Sequence, residues 1–348
     1  MKLFIAILLA TAAAAAGQVA TSNPLGLVTY RFPATASSAT QYISIPLTSE
    51  PIYSGPLASS TSNATTNTLT FEGAPFTSLN LAQAGSPYFA LILSGQQAGR
   101  SMLIKGNTAN SLTVDITDNT IKSTPLNTAS FSVAAADQVQ VFPGDTLASF
   151  FGSTPAGLSI VAGGATSTAA DTVSIYNRST AKFDQYFFNT TGGVNRWQRV
   201  GGSTLISSNG VVLYPEAVVC IQRQAGRVES LGGVTGCVPT TQPLTKVLAN
   251  VGFYTGTRLP VNLTLGQLNT ISPWTPTPTI GTADVLSLFN AGTGRWVSYY
   301  LYGANWVQSS TGPSQNSVMI PAGAPVLLLK RSNAPIPYPH IPNLPYAL

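Results

Sequence analysis

Short apolar runs recur from one end of the chain to the other, some alternating with polar residues and some fully apolar, each closed by Gly, Pro, Asn or Ser. Alternation with a period of two marks a strand with one buried face, and a short fully apolar run reads as a strand covered on both faces. The pattern predicts strands at 41–47, 88–93, 111–116, 138–142, 172–176, 217–223, 285–289 and 326–330. A helical stripe is not sustained anywhere, and the best helical candidates are the short stretches 78–84, 146–151 and 264–268. Many short strands separated by turn signals predict an all-β protein of sandwich or small-barrel type. The runs at 88–93 and 326–329 are apolar on both faces, unlike the alternating strands of an outer-membrane barrel.

One pattern occurs twice. DTVSIYN at 171–177 reappears as DVLSLFN at 284–290, and each copy is followed by an aromatic stretch (Tyr186, Phe187 and Phe188, or Tyr299, Tyr300 and Tyr302). A tryptophan comes next, Trp197 or Trp306, and then a proline opens a last apolar strand that ends in a basic residue, 215–223 or 321–331. Self-similarity in the order of features predicts a duplicated β-unit. The expected organisation is a signal peptide at 1–20, an N-terminal β-domain at 21–143, repeat units at 144–241 and 242–333, and a proline-rich tail at 334–348. A Pro/Thr-rich insertion at 272–279 interrupts the second unit. The N-terminal domain, with glycine turns between strands of five or six residues, suits a small barrel.

Lys2 precedes a largely apolar run over 3–16 that ends in small residues and turns polar at Gln18. These are the regions of a secretory signal peptide, with cleavage near 16 or 20. The run is too short for a membrane-spanning helix, which needs about 20 apolar residues. The mature chain is expected to lack a transmembrane segment and to work outside the cytoplasm: extracellular, at the cell surface or in the periplasm.

Hydrophobic residues make up 44% of the chain and charged residues only 8%, against roughly 25% charged in ordinary globular proteins. The surface must therefore be polar and uncharged. The net charge of +5 is dispersed, without the continuous basic patch that nucleic-acid binding requires. Cys220 and Cys237 lie close in the sequence of an exported chain, where oxidation is permitted, and are a candidate disulfide. With a single histidine, His340, they cannot form a four-ligand metal site.

Catalysis needs convergent titratable groups. His340 lies among prolines, which makes a Ser-His-Asp or Cys-His site there remote. Carboxylate pairs could hydrolyse glycosides without histidine. Asp115 with Asp118, Asp137 with Asp145, and Asp171 with Asp284 are the candidates, but each lies at a turn or strand start where Asx side chains cap backbone. The oxygens of Asp115, Asp118 and Asn119 could attract calcium, though without EF-hand spacing. Trp197, Trp274, Trp296 and Trp306, with Tyr299, Tyr300 and Tyr302, could offer a sugar-stacking surface. Trp197 and Trp306 recur beside apolar strands and read as core. Trp274, between Pro273 and Pro276, is the aromatic expected to be exposed and to contact a ligand.

The chain resembles a paralogue-rich family of exported β-rich proteins of bacteria of the phylum Verrucomicrobiota. The resemblance is carried by SIPL at 44–47, the run 88–99, NTAN at 107–110 with Leu112 and Asp115, Thr146 and Leu147 with Phe151 and Gly152, and both aromatic/Trp repeats. It implies compartment and architecture and carries over no catalytic residue. The cysteine pair and the proline-rich tail depart from the family pattern. Together these readings predict a secreted or cell-surface structural or adhesive protein without catalytic activity or cofactor, its partner a surface polymer or glycan. A carbohydrate-binding module using exposed aromatics is the first alternative, and a polysaccharide-acting hydrolase the second.

Overall fold

In a computed structural model of the protein, the described residues are 24–338 other than 64, 96, 118–132, 159, 178–179, 181, 204, 216, 240–244, 248–251, 270–273, 275 and 332–335. The expected signal peptide, Asp118, His340 and most of the proline-rich tail lie outside them.

The chain begins with β1 (Leu25–Phe32) and β2 (Ala39–Ser44). Next come β3 (Tyr53–Pro56), β4 (Ser59–Ser62), β5 (Thr66–Thr70), β6 (Tyr88–Ile92), β7 (Ser101–Asn107), β8 (Ser111–Asp115) and β9 (Gln138–Pro143). Then follow β10 (Asp145–Thr146), the helix α1 (Leu147–Phe151), β11 (Thr172–Asn177), β12 (Lys182–Asn189), β13 (Arg196–Arg199), β14 (Val212–Leu213), β15 (Val218–Arg223) and β16 (Ser230–Cys237). The last series is β17 (Thr245–Val247), β18 (Gly252–Gly256), β19 (Leu263–Thr264), a 3₁₀ turn at Leu265–Asn269, β20 (Val285–Asn290), β21 (Arg295–Tyr302), β22 (Asn305–Val307), β23 (Met319–Ile320), β24 (Pro325–Leu329) and β25 (Ile336–Tyr338). The fold is all-β, as the periodicity predicts. No helix among the described residues is long and apolar enough to cross a membrane.

Strands β3 to β9 form one seven-stranded sheet in the order β3-β9-β6-β7-β8-β5-β4. Its edge strands are consecutive in the chain: β3 pairs with β9 and β4 with β5, and the backbone bends between them at Leu57 and Ala58. Leu57 N–H donates to Asp137 (2.9 Å) and Ala58 N–H to Thr70 (2.8 Å), so the bend keeps both neighbours. A second corner lies in β7, which pairs first with β6 and then with β8 across a register shift between Ile104 and Gly106. The sheet thus curls back on itself around Leu57, Leu69, Phe71, Phe76, Ile92, Met102 and Val141.

The other strands form two units of one plan. The first has a five-stranded sheet ordered β13-β12-β11-β15-β2, and the second β22-β21-β20-β24-β18. Each unit adds a short pair, β10 with β14 or β19 with β23, and a two-stranded ribbon, β1 with β16 or β17 with β25. Local detail matches as well. The Thr146 hydroxyl accepts from Ser149 N–H while Ser149 Oγ accepts from Thr146 N–H; Thr264 and Gln267 exchange the same two bonds. Such a capping box satisfies donors that the first helical turn leaves open. Trp197 N–H donates to Asn209 Oδ1 and Trp306 N–H to Asn316 Oδ1, both at 2.8 Å, and both indoles are fully buried. The two cores contain equivalent residues: Val173 and Leu286, Phe188 and Leu301, Leu213 and Ile320, Ile221 and Leu328. Burying each such side chain contributes about 1.5–3 kcal/mol.

The pairing redraws the expected boundaries. β1 and β2, assigned from sequence to the 21–143 domain, pair with β16 and β15 and belong to the first unit. The curled sheet is therefore an insertion within that unit, leaving after Thr48, which bridges Cys237, and returning at Gly144. Two of the helical stretches also differ from expectation. At 78–84 the chain makes turns, because Ser78 takes a positive φ of 68° that stops a right-handed helix. At 264–268 the helix is a 3₁₀ turn, Leu265–Asn269.

Candidate functional site

The two units meet through β2 and β18, equivalent strands at the edges of their sheets. Ser44 N–H donates to the Gly323 carbonyl across the junction (2.9 Å), and its hydroxyl donates to the same oxygen (3.1 Å). Aromatic contacts are reciprocal. Tyr42 of β2 lies edge-on to Phe289 (4.7 Å) and Trp296 (5.1 Å) of the second unit. Tyr254 of β18 lies against Tyr176 (5.0 Å) and Phe183 (5.3 Å) of the first. The registers make these residues equivalent: Tyr176 faces Phe183 as Phe289 faces Trp296. Edge-to-face pairs contribute about 0.5–1.5 kcal/mol each beyond their buried area.

A groove opens on each side of this junction. The first encloses about 210 Å³ and is lined by Tyr176, Asn177, Asp184, Tyr186 and Tyr214 of the first unit and Tyr254 of the second. The second, about 430 Å³, is lined at equivalent positions by Phe289, Asn290, Val297, Tyr299 and Pro321 of the second unit and Tyr42 of the first. Each groove is thus completed by a tyrosine from the opposite unit. Within each unit, residues at alternate positions of a strand share a face, which places Asp184 and Tyr186, or Val297 and Tyr299, side by side.

Chemistry differs between the two. In the first groove Asp184 accepts from Asn177 Nδ2 (2.9 Å) and is ion-paired with Arg199. Burial, reinforced by the Asp184 charge, holds the Tyr186 hydroxyl above its ordinary range, and burial does the same for Tyr254, so both phenols remain protonated donors. Tyr214 packs against Phe89 of the inserted sheet at 5.1 Å, which fixes the outer wall. The second groove has Val297 and Pro321 where the first has Asp184 and Tyr214, and adds Thr29, Tyr30, Arg31 and Gln41 of the first unit to its lining. Burial pushes Tyr42 up to about 12, with Cys220 and Tyr254 adding to the effect.

The residues singled out from sequence have other roles. Trp274 is buried, 5% exposed, and lies edge-on to Trp306 at 5.0 Å; the expected ligand contact is a core contact, because Thr277 N–H docks this loop onto the Leu301 carbonyl of β21. Cys220 and Cys237 are free thiols. Cys220 faces Tyr42, whereas Cys237 N–H binds Thr48, six residues further along a chain that rises about 3.3 Å per strand residue. Neighbours in sequence, they are carried apart by their strands, and the expected disulfide does not form.

The carboxylates are likewise engaged. Asp115 accepts from Thr117 N–H (2.8 Å) and pairs with Lys105 (3.3 Å). Asp137 accepts from Ala134 N–H (2.9 Å), and Asp145 from Ser149 Oγ (2.9 Å). Asp171 binds Ala162 N–H and Gln224 N–H, both at 2.8 Å, and the Arg227 guanidinium at 2.9 Å. Asp284 binds Arg331 N–H (2.6 Å) and forms an ion pair with Lys330, with both side chains out of solvent. The two repeat-related aspartates thus tie strand starts to the ends of β15 and β24. Among the described residues no group of three His, Cys, Asp or Glu could hold a metal ion. Of the groove tyrosines, sequence reasoning weighed Tyr299 as a sugar-stacking candidate and passed over Tyr42, Tyr176, Tyr186, Tyr214 and Tyr254; the recurrence of Tyr186 with Tyr299 was their signal. No family model, curated protein or solved structure matches the chain.

Proposed function

We propose that this chain is an exported, non-catalytic adhesive protein of a bacterial cell surface or its surroundings, and that it holds a neutral glycan in the first groove. The observation that carries this reading is the ring of Tyr176, Tyr186, Tyr214 and Tyr254 around Asp184 and Asn177. A sugar presents an apolar ring face and a rim of hydroxyls. Tyrosines offer it both a flat apolar surface and a phenolic hydrogen bond, and a carboxylate accepts from hydroxyls. Asp184 is the one carboxylate among the described lining residues of either groove, and its oxygens already hold Asn177 and Arg199. Acid/base cleavage of a glycosidic bond uses two carboxylates, commonly about 5–10 Å apart, so this arrangement favours binding over turnover. The leader-like run at 3–16, the polar, uncharged composition and the resemblance to exported β-rich proteins support the location.

The test is isothermal titration of the purified chain with neutral oligosaccharides, alongside assays for reducing-end release. Saturable binding that falls at least tenfold in Tyr186→Ala, without product release, is the expected result. Turnover that depends on Asp184 would replace this reading with a hydrolase.

A further inference from the structure

We infer that the second groove is a separate carbohydrate site, selective for sugars that carry an acetyl substituent. This rests on the glycan reading of the first groove and extends it to the equivalent surface of the other unit. Three observations point to a ligand of the same class. The frame is retained: Tyr42, Phe289 and Tyr299 stand where the first groove has Tyr254, Tyr176 and Tyr186. The second groove is the wider and more open one, about 430 Å³ against 210 Å³, so it leaves room for a bulkier residue. Two wall positions turn from polar to apolar, with Val297 replacing Asp184 and Pro321 replacing Tyr214, while Thr29, Tyr30, Arg31 and Gln41 of the first unit supply polar groups to the lining.

These exchanges act on specificity in a definite direction. A bare hydroxyl directed at Val297 would lose its water without gaining a partner, which costs about 1–3 kcal/mol. An acetyl methyl gains from the same contact. Its amide or ester oxygen still needs a donor, and Gln41 and Asn290 in the lining carry side-chain amides. Leu288, Ala324 and Pro325 continue the apolar wall beside Val297, as Ile175, Ala217 and Val218 do in the first groove, so the change at Val297 and Pro321 sets the difference. Steric selection then works in the other groove, where Tyr214 occupies the space that Pro321 leaves open.

The experiment titrates the intact chain with N-acetylglucosamine tetramer and with glucose tetramer, separately and in competition. Pro321 is exposed, so Pro321→Tyr rebuilds the missing wall without touching the core. It is expected to weaken the acetylated ligand at least tenfold and to leave the glucose oligomer unchanged. Tyr214→Ala is expected to do the reverse, and the two ligands should not compete. Melting curves on both variants check that each remains folded. Unchanged affinity of the acetylated tetramer in Pro321→Tyr, or full competition between the ligands, overturns the second site while the first groove stands. Binding of glucose tetramer alone does the same. If the chain binds neither oligomer, the glycan reading and this extension fall together.

Discussion

Ser44 and Gly256 occupy equivalent positions of β2 and β18 and lie against each other where the strands cross: a Cβ on Gly256 would stand 2.1 Å from the Ser44 hydroxyl. Two strand edges approach this closely only when one side lacks a side chain. The junction therefore has the symmetry of a two-fold interface with one broken position, a serine facing a glycine.

Gly256→Ala is expected to force the strands apart and to cost about 1–3 kcal/mol, as overpacking does. The clash has a single partner, so Ser44→Gly in the same chain should restore most of the loss, while the Ser44 backbone bond to Gly323 remains. Denaturant unfolding of the two single variants and the double variant measures this coupling. An additive result would mean that the strands do not touch there.

Trp197→Ala and Trp306→Ala are each expected to destabilise the protein by about 3–5 kcal/mol, the cost of a large core truncation. Trp197→Phe separates packing from polarity. It keeps an aromatic ring but leaves the Gly152 carbonyl without its indole donor, now at 2.8 Å, at a cost of about 1–3 kcal/mol. Urea melts of the three variants provide the values.

The Lys330–Asp284 pair is out of solvent on both sides. Removing one partner of such a pair leaves an uncompensated buried charge and costs about 3–5 kcal/mol. Lys330→Met should be strongly destabilised, and Lys330→Met combined with Asp284→Asn distinctly less so. Equal destabilisation of the single and double variants would show that the carboxylate is stabilised by its backbone bond alone.

Burial raises Cys220 to about 11 from an ordinary value near 9. The folded state holds this proton more tightly than the unfolded chain does. Its stabilising effect is complete below pH 9 and is lost as pH climbs from there towards 11, so the melting temperature should fall across that window. Cys220→Ser should flatten the fall. At pH 8 the free thiols predict two alkylations per chain after denaturation without reductant, read by intact mass; a chain that resists alkylation until reduced would contradict the unbridged state.

Strands were legible because alternation and punctuation are local. The eight predicted runs fall on β2, β6, β8, β9, β11, β15, β20 and β24 with ends shifted by a few residues. The equivalence of Asp171 with Asp284 was visible for the same reason. Pairing partners were hidden, because nothing near Leu25 in sequence indicates that it will face Cys237. Trp274 was misjudged because flanking prolines mark a loop but do not say what the loop lies on. Tyr299 was legible as an aromatic of a possible sugar surface, but the grooves themselves were hidden, since each takes a tyrosine from a strand of the other unit, and β2 and β18 are joined only by the fold.

A chain growing from its N-terminus produces β1 and β2 long before β15 and β16 exist to receive them. Until then both strands have open edges, the condition that invites pairing with a neighbouring chain. Closing a loop from Leu25 to Cys237 is an entropic barrier that slows folding of non-local sheets. The inserted sheet lowers it. Its strands pair within 53–143, so it can condense first and gather that whole stretch into a compact knot, leaving a much shorter effective loop. The second unit, uninterrupted, makes the same β-connection through residues 257–262 alone. The two halves of the molecule share a plan but not a schedule, and the first unit is the one whose completion must wait for the chain to come round.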